Sequence, residues 1–125
     1  VEAAGKRLLL DCGMCQGRAE MEASNADPFP FDAASLDAQV ISHAHIDHIG
    51  LVPLLVKRGF RGPIFAQHAT ADLMPIMLLD SASLAESDAE RFNRRRAHGE
   101  AERQPLYTKD DVADAIGALR ERELV

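Results

Sequence analysis

At 125 residues, with 46% hydrophobic and 27% charged side chains, the chain has the composition of one ordinary globular domain rather than a disordered or fibrous one. Its formal net charge of -6 excludes a chain-wide electrostatic grip on nucleic acid, which leaves a basic footprint, while leaving room for a local groove. No apolar run approaches the roughly 20 residues that cross a bilayer, and the opening residues do not read as a signal peptide, so no membrane partner is expected.

The first residue is Val1 rather than Met, and residues 1–10 read as the tail of one strand, a turn containing Gly5 and a second strand ending in Leu8, Leu9 and Leu10. Residues 16–37 are polar, with Asn25, Pro28 and Pro30, which predicts a long connecting loop that Phe29 and Phe31 pin to the body. Residues 38–42 form a short β-prone run. Residues 49–59 read as a buried helix, with Pro53 tolerated in its first turn, Lys57 and Arg58 suited to its last turn and Gly59 to its C-terminal cap. Gly62 and Pro63 precede a short strand at Ile64, Phe65 and Ala66. Asp72 then caps a helix in which Pro75 falls in the first turn and Leu73, Ile76, Met77 and Leu84 supply the apolar, core-packing face. Residues 87–104 are charged and irregular. Thr108 with Asp110 and Asp111 starts a last helix, along which Val112, Ile116 and Leu119 recur at helical spacing, and Leu124 and Val125 directly follow a helix.

The densest chemistry lies at His43, Ala44, His45, Ile46, Asp47 and His48, a stretch of the form H-x-H-x-D-H. Imidazole nitrogen and carboxylate oxygen are ligands that zinc accepts, and a site built without thiolate tends to keep a position open for water, which is the condition for catalysis. In an extended segment, His43, His45 and Asp47 point one way, and a turn after Asp47 brings His48 round to the same pocket. The strand before and the helix after place the motif in a strand-to-helix loop at a sheet's carboxyl edge, where open α/β sheets carry their sites. A chance surface cluster is the competing reading. It fits badly, because a polar cluster between an apolar strand and an apolar helix is costly unless something pairs it.

The motif resembles the signature of the metallo-β-lactamase-fold hydrolases. Leu8 to Gly13, Gln16 with Gly17, the run from Val40 through Ile64, Ala69 to Leu73, Leu79 to Ala82 and Pro105 to Thr108 are similar to the β-CASP branch, the RNA-processing nucleases of that superfamily. The resemblance covers nearly the whole chain and implies an α/β fold, the first half of an αββα sandwich, with residues 1–125 a partial domain truncated at both ends. It further implies two zinc ions, a water activated by them and a phosphodiester substrate, with single-stranded RNA as the partner. Carried over by position, His43 and His45 would hold one zinc and Asp47 and His48 the other. Asp11 would match the element that supports and orients the ligands. Asp47 is the catalytic candidate, since its carboxylate can bind metal and also accept a proton from the attacking water. A further histidine and a bridging aspartate of the relatives fall beyond Val125, so the 125 residues alone are expected to be inactive. Another hydrolase on this fold, of thioesterase or lactamase type, and a non-catalytic binding protein are the alternatives.

Lesser signals are read conservatively. Cys12 and Cys15 form a C-x-x-C pair, but a structural zinc needs a second ligand pair, and a structural role for both is favoured over redox or extra metal binding. Their spacing agrees with a reducing compartment, and a cytoplasmic location is expected. Arg91, Arg94, Arg95, Arg96 and Arg103 are interleaved with Glu90, Glu100 and Glu102, which favours a solvated helix face or linker over a phosphate-binding surface. His68 and His98 stand outside any ligand pattern.

Overall fold

The computed structural model describes residues 1–121. Strand β1 (Glu2–Ala3) pairs antiparallel with β2 (Lys6–Leu10) across a two-residue loop. Ala4 and Gly5 both take positive φ, 50° and 73°, as in the tight turns that match the right-handed twist of a hairpin. From β2 the sheet grows by parallel pairing through β3 (Ala38–Val40), β4 (Ile64–Ala66) and β5 (Leu119–Glu121), in spatial order β1-β2-β3-β4-β5.

Register decides which side of the sheet is buried. Leu10 pairs with Val40 and Val40 with Phe65, so these side chains share one face, where Leu10 is 59% and Val40 37% exposed. Gln39 and Ile64 share the other face, both fully buried, with Ile41 and Ala66 beside them. Among the described residues, the helical core packs against that second face. Parallel strands usually need cover on both, and a sheet covered on one side is the arrangement of half a sandwich.

The segment joining β2 to β3 is long, as its polarity predicts, but it is fastened rather than loose. It contains α1 (Ala19–Ala23) and two 3-10 turns, Ser24–Ala26 and Ala33–Ser35. Phe29 and Phe31 stack with ring centroids 5.2 Å apart. The Arg58 guanidinium lies 4.9 Å from the Phe29 ring centroid and donates to the carbonyls of Asp27 at 2.7 Å and Ala26 at 2.9 Å. Asn25, buried, accepts from the Cys15 amide at 2.8 Å and donates to the Cys15 carbonyl at 2.9 Å.

Three helical expectations need correction. The helix anticipated over residues 49–59 is two helices, α2 (Ile46–Ile49) and α3 (Val52–Lys57). Pro53 explains the break: it has no N–H to give the Ile49 carbonyl and its ring would crowd that oxygen. Helix α4 (His68–Arg95) starts four residues before Asp72, capped by Gln67, so Pro75 lies inside it, and it continues through residues expected to be irregular. Its buried face is Ala71, Met74, Leu78, Ala82 and Ala89. Leu73, Ile76 and Leu84, taken from the sequence as core, lie on the opposite side and are 51%, 66% and 61% exposed. The last helix, α5 (Lys109–Gly117), ends before Leu119, which belongs to β5 instead. Leu124 and Val125 lie outside the described residues.

Helix α5 packs against both α3 and α4, with Val112 and Ala115 buried in the common core beside Leu55, Phe60 and Leu78. Tyr107, 1% exposed, shares a 3.0 Å hydrogen bond with Ser81 and fixes the approach to α5. Thr108 and Asp111 form a reciprocal capping box: the Asp111 carboxylate accepts from the Thr108 amide at 2.8 Å and the Asp111 amide donates to the Thr108 hydroxyl at 3.4 Å. Thr108→Ala should lower stability in urea denaturation by about 1 kcal/mol. Adding Asp111→Ala should cost a further amount of similar size, since the bond from the residue-108 amide to the Asp111 carboxylate survives the first change and is lost only with the second.

Candidate metal centre

The site begins where β2 ends. Asp11 takes φ 56°, a left-handed conformation that aspartate tolerates better than most residues. That single residue turns the chain out of the sheet, so that residues 12–14 run alongside α2. The Cys12 amide donates to the His48 carbonyl at 2.8 Å, the Met14 amide to the Ile46 carbonyl at 3.0 Å, and the Leu51 amide to the Cys12 carbonyl at 2.9 Å. Between them Gly13 lies flat against the motif: a Cβ at this position would fall 1.6 Å from the Asp47 carbonyl oxygen. Only glycine permits that contact.

The motif follows β3 directly, as expected, but its internal geometry differs from the expected one. His45 is the N-cap of α2, so helix begins at Ile46 and the chain turns before Asp47 rather than after it. Asp47 and His48 therefore project from one helical turn, while His43 reaches them from the preceding loop. Ligand atoms of His43, Asp47 and His48 all lie within 4.8 Å of one another. The His43 and His48 ring centroids are 3.7 Å apart, and His48 Nε2 lies 3.5 Å from Asp47 Oδ2. His45 is exposed, outside that group of three, with its ring edge-on to His43 at 4.8 Å.

Behind the imidazoles lies a compact polar network. Asp11 Oδ1 accepts from the Ser42 amide at 2.7 Å, and Asp11 Oδ2 accepts from the Ser42 hydroxyl at 2.7 Å and from His48 Nδ1 at 2.8 Å. Ser42 Oγ also lies 3.0 Å from His43 Nδ1 and 3.3 Å from His48 Nδ1. Burial alone would raise the Asp11 carboxyl's pKa, but hydrogen bonds from His48 and from the Ser42 amide and hydroxyl outweigh it and hold the group below its usual value. Asp11 is thus an anion that grips one histidine directly and another through a serine. In the sequence Asp11 is marked by resemblance alone, and for Ser42 only its place immediately before His43 signals its part in the network.

The donor set suits a divalent ion. Two imidazoles and an exposed carboxylate converge on a span close to that of donors around zinc, whose bonds to nitrogen and oxygen run about 2.0–2.2 Å. A histidine whose other nitrogen is hydrogen-bonded to a carboxylate is the usual pattern behind such ions. Cys12 and Cys15 belong to a different environment. Burial pushes the Cys12 thiol up to about 12, with Arg58 opposing and Asp11 reinforcing the shift, whereas Cys15 is exposed. His68 opens α4 and His98 lies in an exposed turn beyond it, both outside the three-residue cluster. Of the arginines, Arg91 lies 3.7 Å from Asp88, Arg96 lies 3.2 Å from Glu102, and Arg103 sits 3.7 Å from the Phe92 ring centroid.

Two measurements check this local account. Gly13→Ala should lower the thermal midpoint and destabilise the fold by more than the usual 1–3 kcal/mol of overpacking, because the obstacle is backbone. Gly117→Ala, where an added Cβ meets nothing within 4 Å, is the matched control and should be neutral or mildly stabilising. In a thiol titration near pH 8, Cys15 should react promptly and Cys12 only after unfolding.

The family model of the metallo-beta-lactamase superfamily matches residues 1–123. Ribonuclease TTHA0252 of Thermus thermophilus is 40% identical over 121 residues, covering 97% of this chain and 24% of that protein. Transcription termination factor FttA of Methanosarcina mazei is 40% identical over 87 residues, 69% of this chain and 14% of the factor. Cleavage and polyadenylation specificity factor 73 of Drosophila melanogaster is 33% identical over 113 residues, 86% of this chain and 16% of that protein. The chain thus spans about a quarter or less of the length of these relatives. With the H-x-H-x-D-H motif folded at the carboxyl end of a half-covered parallel sheet and a family match running along nearly all of its length, the chain belongs to the metallo-β-lactamase superfamily.

Proposed function

We propose that the protein to which these residues belong is a zinc-dependent phosphodiester hydrolase of the β-CASP branch that cuts single-stranded RNA. The observation that carries this reading is that ligand atoms of His43, Asp47 and His48 gather within 4.8 Å of one another, backed by the Asp11 carboxylate. The names of the relatives, a ribonuclease, termination factors and a cleavage and polyadenylation factor, support RNA over a lactam or thioester as substrate. They thereby disfavour the carbonyl-cleaving alternatives, and the assembled donor set speaks against a purely binding role.

His43 and His45 would hold one ion and Asp47 and His48 the second, with remaining ligands supplied from outside residues 1–125. His45 is exposed and stands edge-on beside His43, with no packing among the described residues that holds its ring away from the site. Ions held there would supply a water acidic enough to attack near neutral pH and positive charge to offset that of a phosphodiester. The chain's own contribution is positional. Asp11 holds the His48 ring by Nδ1, the clamp between residues 12–14 and α2 fixes the helix that bears Asp47 and His48, and the free Asp47 oxygen can accept a proton from the attacking water. The chain's acidity stays compatible with RNA, because metal charge at the site would replace the missing basic surface there. No helix among the described residues is long and apolar enough to cross a membrane.

The full-length protein should carry about two zinc equivalents by elemental analysis. His43→Ala, His45→Ala and His48→Ala should each remove a large part of that zinc, and unchanged content in all three would end the assignment. Asp47→Ala should slow metal-dependent cleavage of a labelled single-stranded RNA by at least about 100-fold. Cys12→Ser combined with Cys15→Ser should keep its zinc.

A further inference from the structure

Ser42 stands between three groups of the site. Its hydroxyl has one proton and two lone pairs, and it meets Asp11 Oδ2 at 2.7 Å, His43 Nδ1 at 3.0 Å and His48 Nδ1 at 3.3 Å. Proton counting settles the direction of each bond. An ionised carboxylate has nothing to donate, so both atoms that crowd Asp11 Oδ2, the Ser42 hydroxyl and His48 Nδ1, must bring a hydrogen to it. The serine's only proton is then committed to Asp11. What faces His43 is an oxygen lone pair, and a 3.0 Å contact between that lone pair and Nδ1 requires a hydrogen on Nδ1.

Both imidazoles are therefore in the same tautomer, protonated at Nδ1, with the lone pair on Nε2. For His48 that nitrogen is the one 3.5 Å from Asp47 Oδ2. We propose that Ser42 is a positioning residue that relays the Asp11 carboxylate to His43, so that one anion sets the tautomer of two histidines at once, leaving Nε2 of each as the nitrogen with a lone pair to offer a metal. This rests on reading the site as a metal centre, but the tautomer itself is a property of the metal-free protein. The relay has asymmetric consequences. Without the hydroxyl, Asp11 still holds His48 directly and still accepts the Ser42 amide, whereas His43 loses its acceptor and is free to exchange its proton between the two nitrogens. A chelate that must first select one of two tautomers and reorient a ring binds more weakly.

The test is a long-range proton–nitrogen correlation spectrum of the full-length, metal-free protein at about pH 8, where ordinary imidazoles are neutral, together with zinc titration. The wild-type protein should show His43 and His48 both protonated at Nδ1. Ser42→Ala should leave His48 in that form, convert His43 to a mixture or to the Nε2–H tautomer, and weaken zinc about 10- to 100-fold. Ser42→Thr, which keeps the hydroxyl, should restore both readings to near wild type. A wild-type His43 protonated at Nε2 overturns the proposal, as does a Ser42→Ala protein with unaltered His43 tautomer and zinc affinity. Should Ser42→Ala fail to fold, the wild-type tautomer and the Ser42→Thr spectrum decide. A wild-type protein that binds no zinc while His43 still switches tautomer in Ser42→Ala sinks the metal reading and upholds the relay.

Discussion

The candidate centre depends on a backbone-to-backbone contact. Gly13 passes so close to the Asp47 peptide that no side chain fits, and on either side Cys12 and Met14 donate to the carbonyls of His48 and Ile46. Helix α2 is a single turn, too short to hold itself in water. It persists because Cys12 donates to the His48 carbonyl, Met14 adds a second donor to the Ile46 carbonyl that Gly50 already pairs, and Ile49 and its neighbours are buried beneath it. Two of the three converging ligand candidates ride on that turn. The geometry of the site is thus set by main chain, with the side-chain network of Asp11 and Ser42 trimming ring orientation afterwards.

Much of this was legible in the sequence, for definable reasons. The hairpin, the strand before the motif and the Thr108 cap are local events in which a few residues dictate their own conformation, and each lies where the spacing placed it. The family likeness made Asp11 a candidate, and the structure puts it against His48. The failures were non-local or concerned competition between local signals. Asp72 is a good helix cap in isolation, yet the helix starts at His68 because Gln67 caps it and Thr70 and Ala71 are buried. Of the large apolar residues that the sequence offered as the core face of α4, Met77 packs against the core while Leu73, Ile76 and Leu84 face outward, and Met74, Leu78 and three alanines are buried instead. Leu119 continued a helical spacing but was claimed by pairing with Ile64, an interaction that no window along the chain can see. At the site, alternation in an extended strand implied a turn after Asp47, whereas the helix began one residue past His45.

The long segment between β2 and β3 shows how a polar stretch without strands can still be rigid. Arg58, at the end of α3, reaches across to two of its carbonyls and stacks on Phe29, while Asn25 clamps the backbone of Cys15 from both sides. These contacts matter to the centre because Cys15 follows directly on the residues that hold α2. A charge at the end of one helix thereby steadies the turn that presents the ligands. The C-x-x-C spacing, suggestive of redox or metal chemistry, is explained by the same architecture: Cys12 is a half-buried thiol in the clamp, and Cys15 offers its backbone rather than its sulfur.

Asp11 carries two unrelated requirements at one position. Its φ of 56° restricts the residue to the few types at ease in left-handed backbone, chiefly glycine, asparagine and aspartate. Its carboxylate must accept three hydrogen bonds. Glycine and asparagine satisfy the first demand and fail the second. Glutamate satisfies the charge but neither the backbone nor the reach. The position therefore has no neutral neighbours in sequence space, and drift there is closed off by conformation and by electrostatics independently.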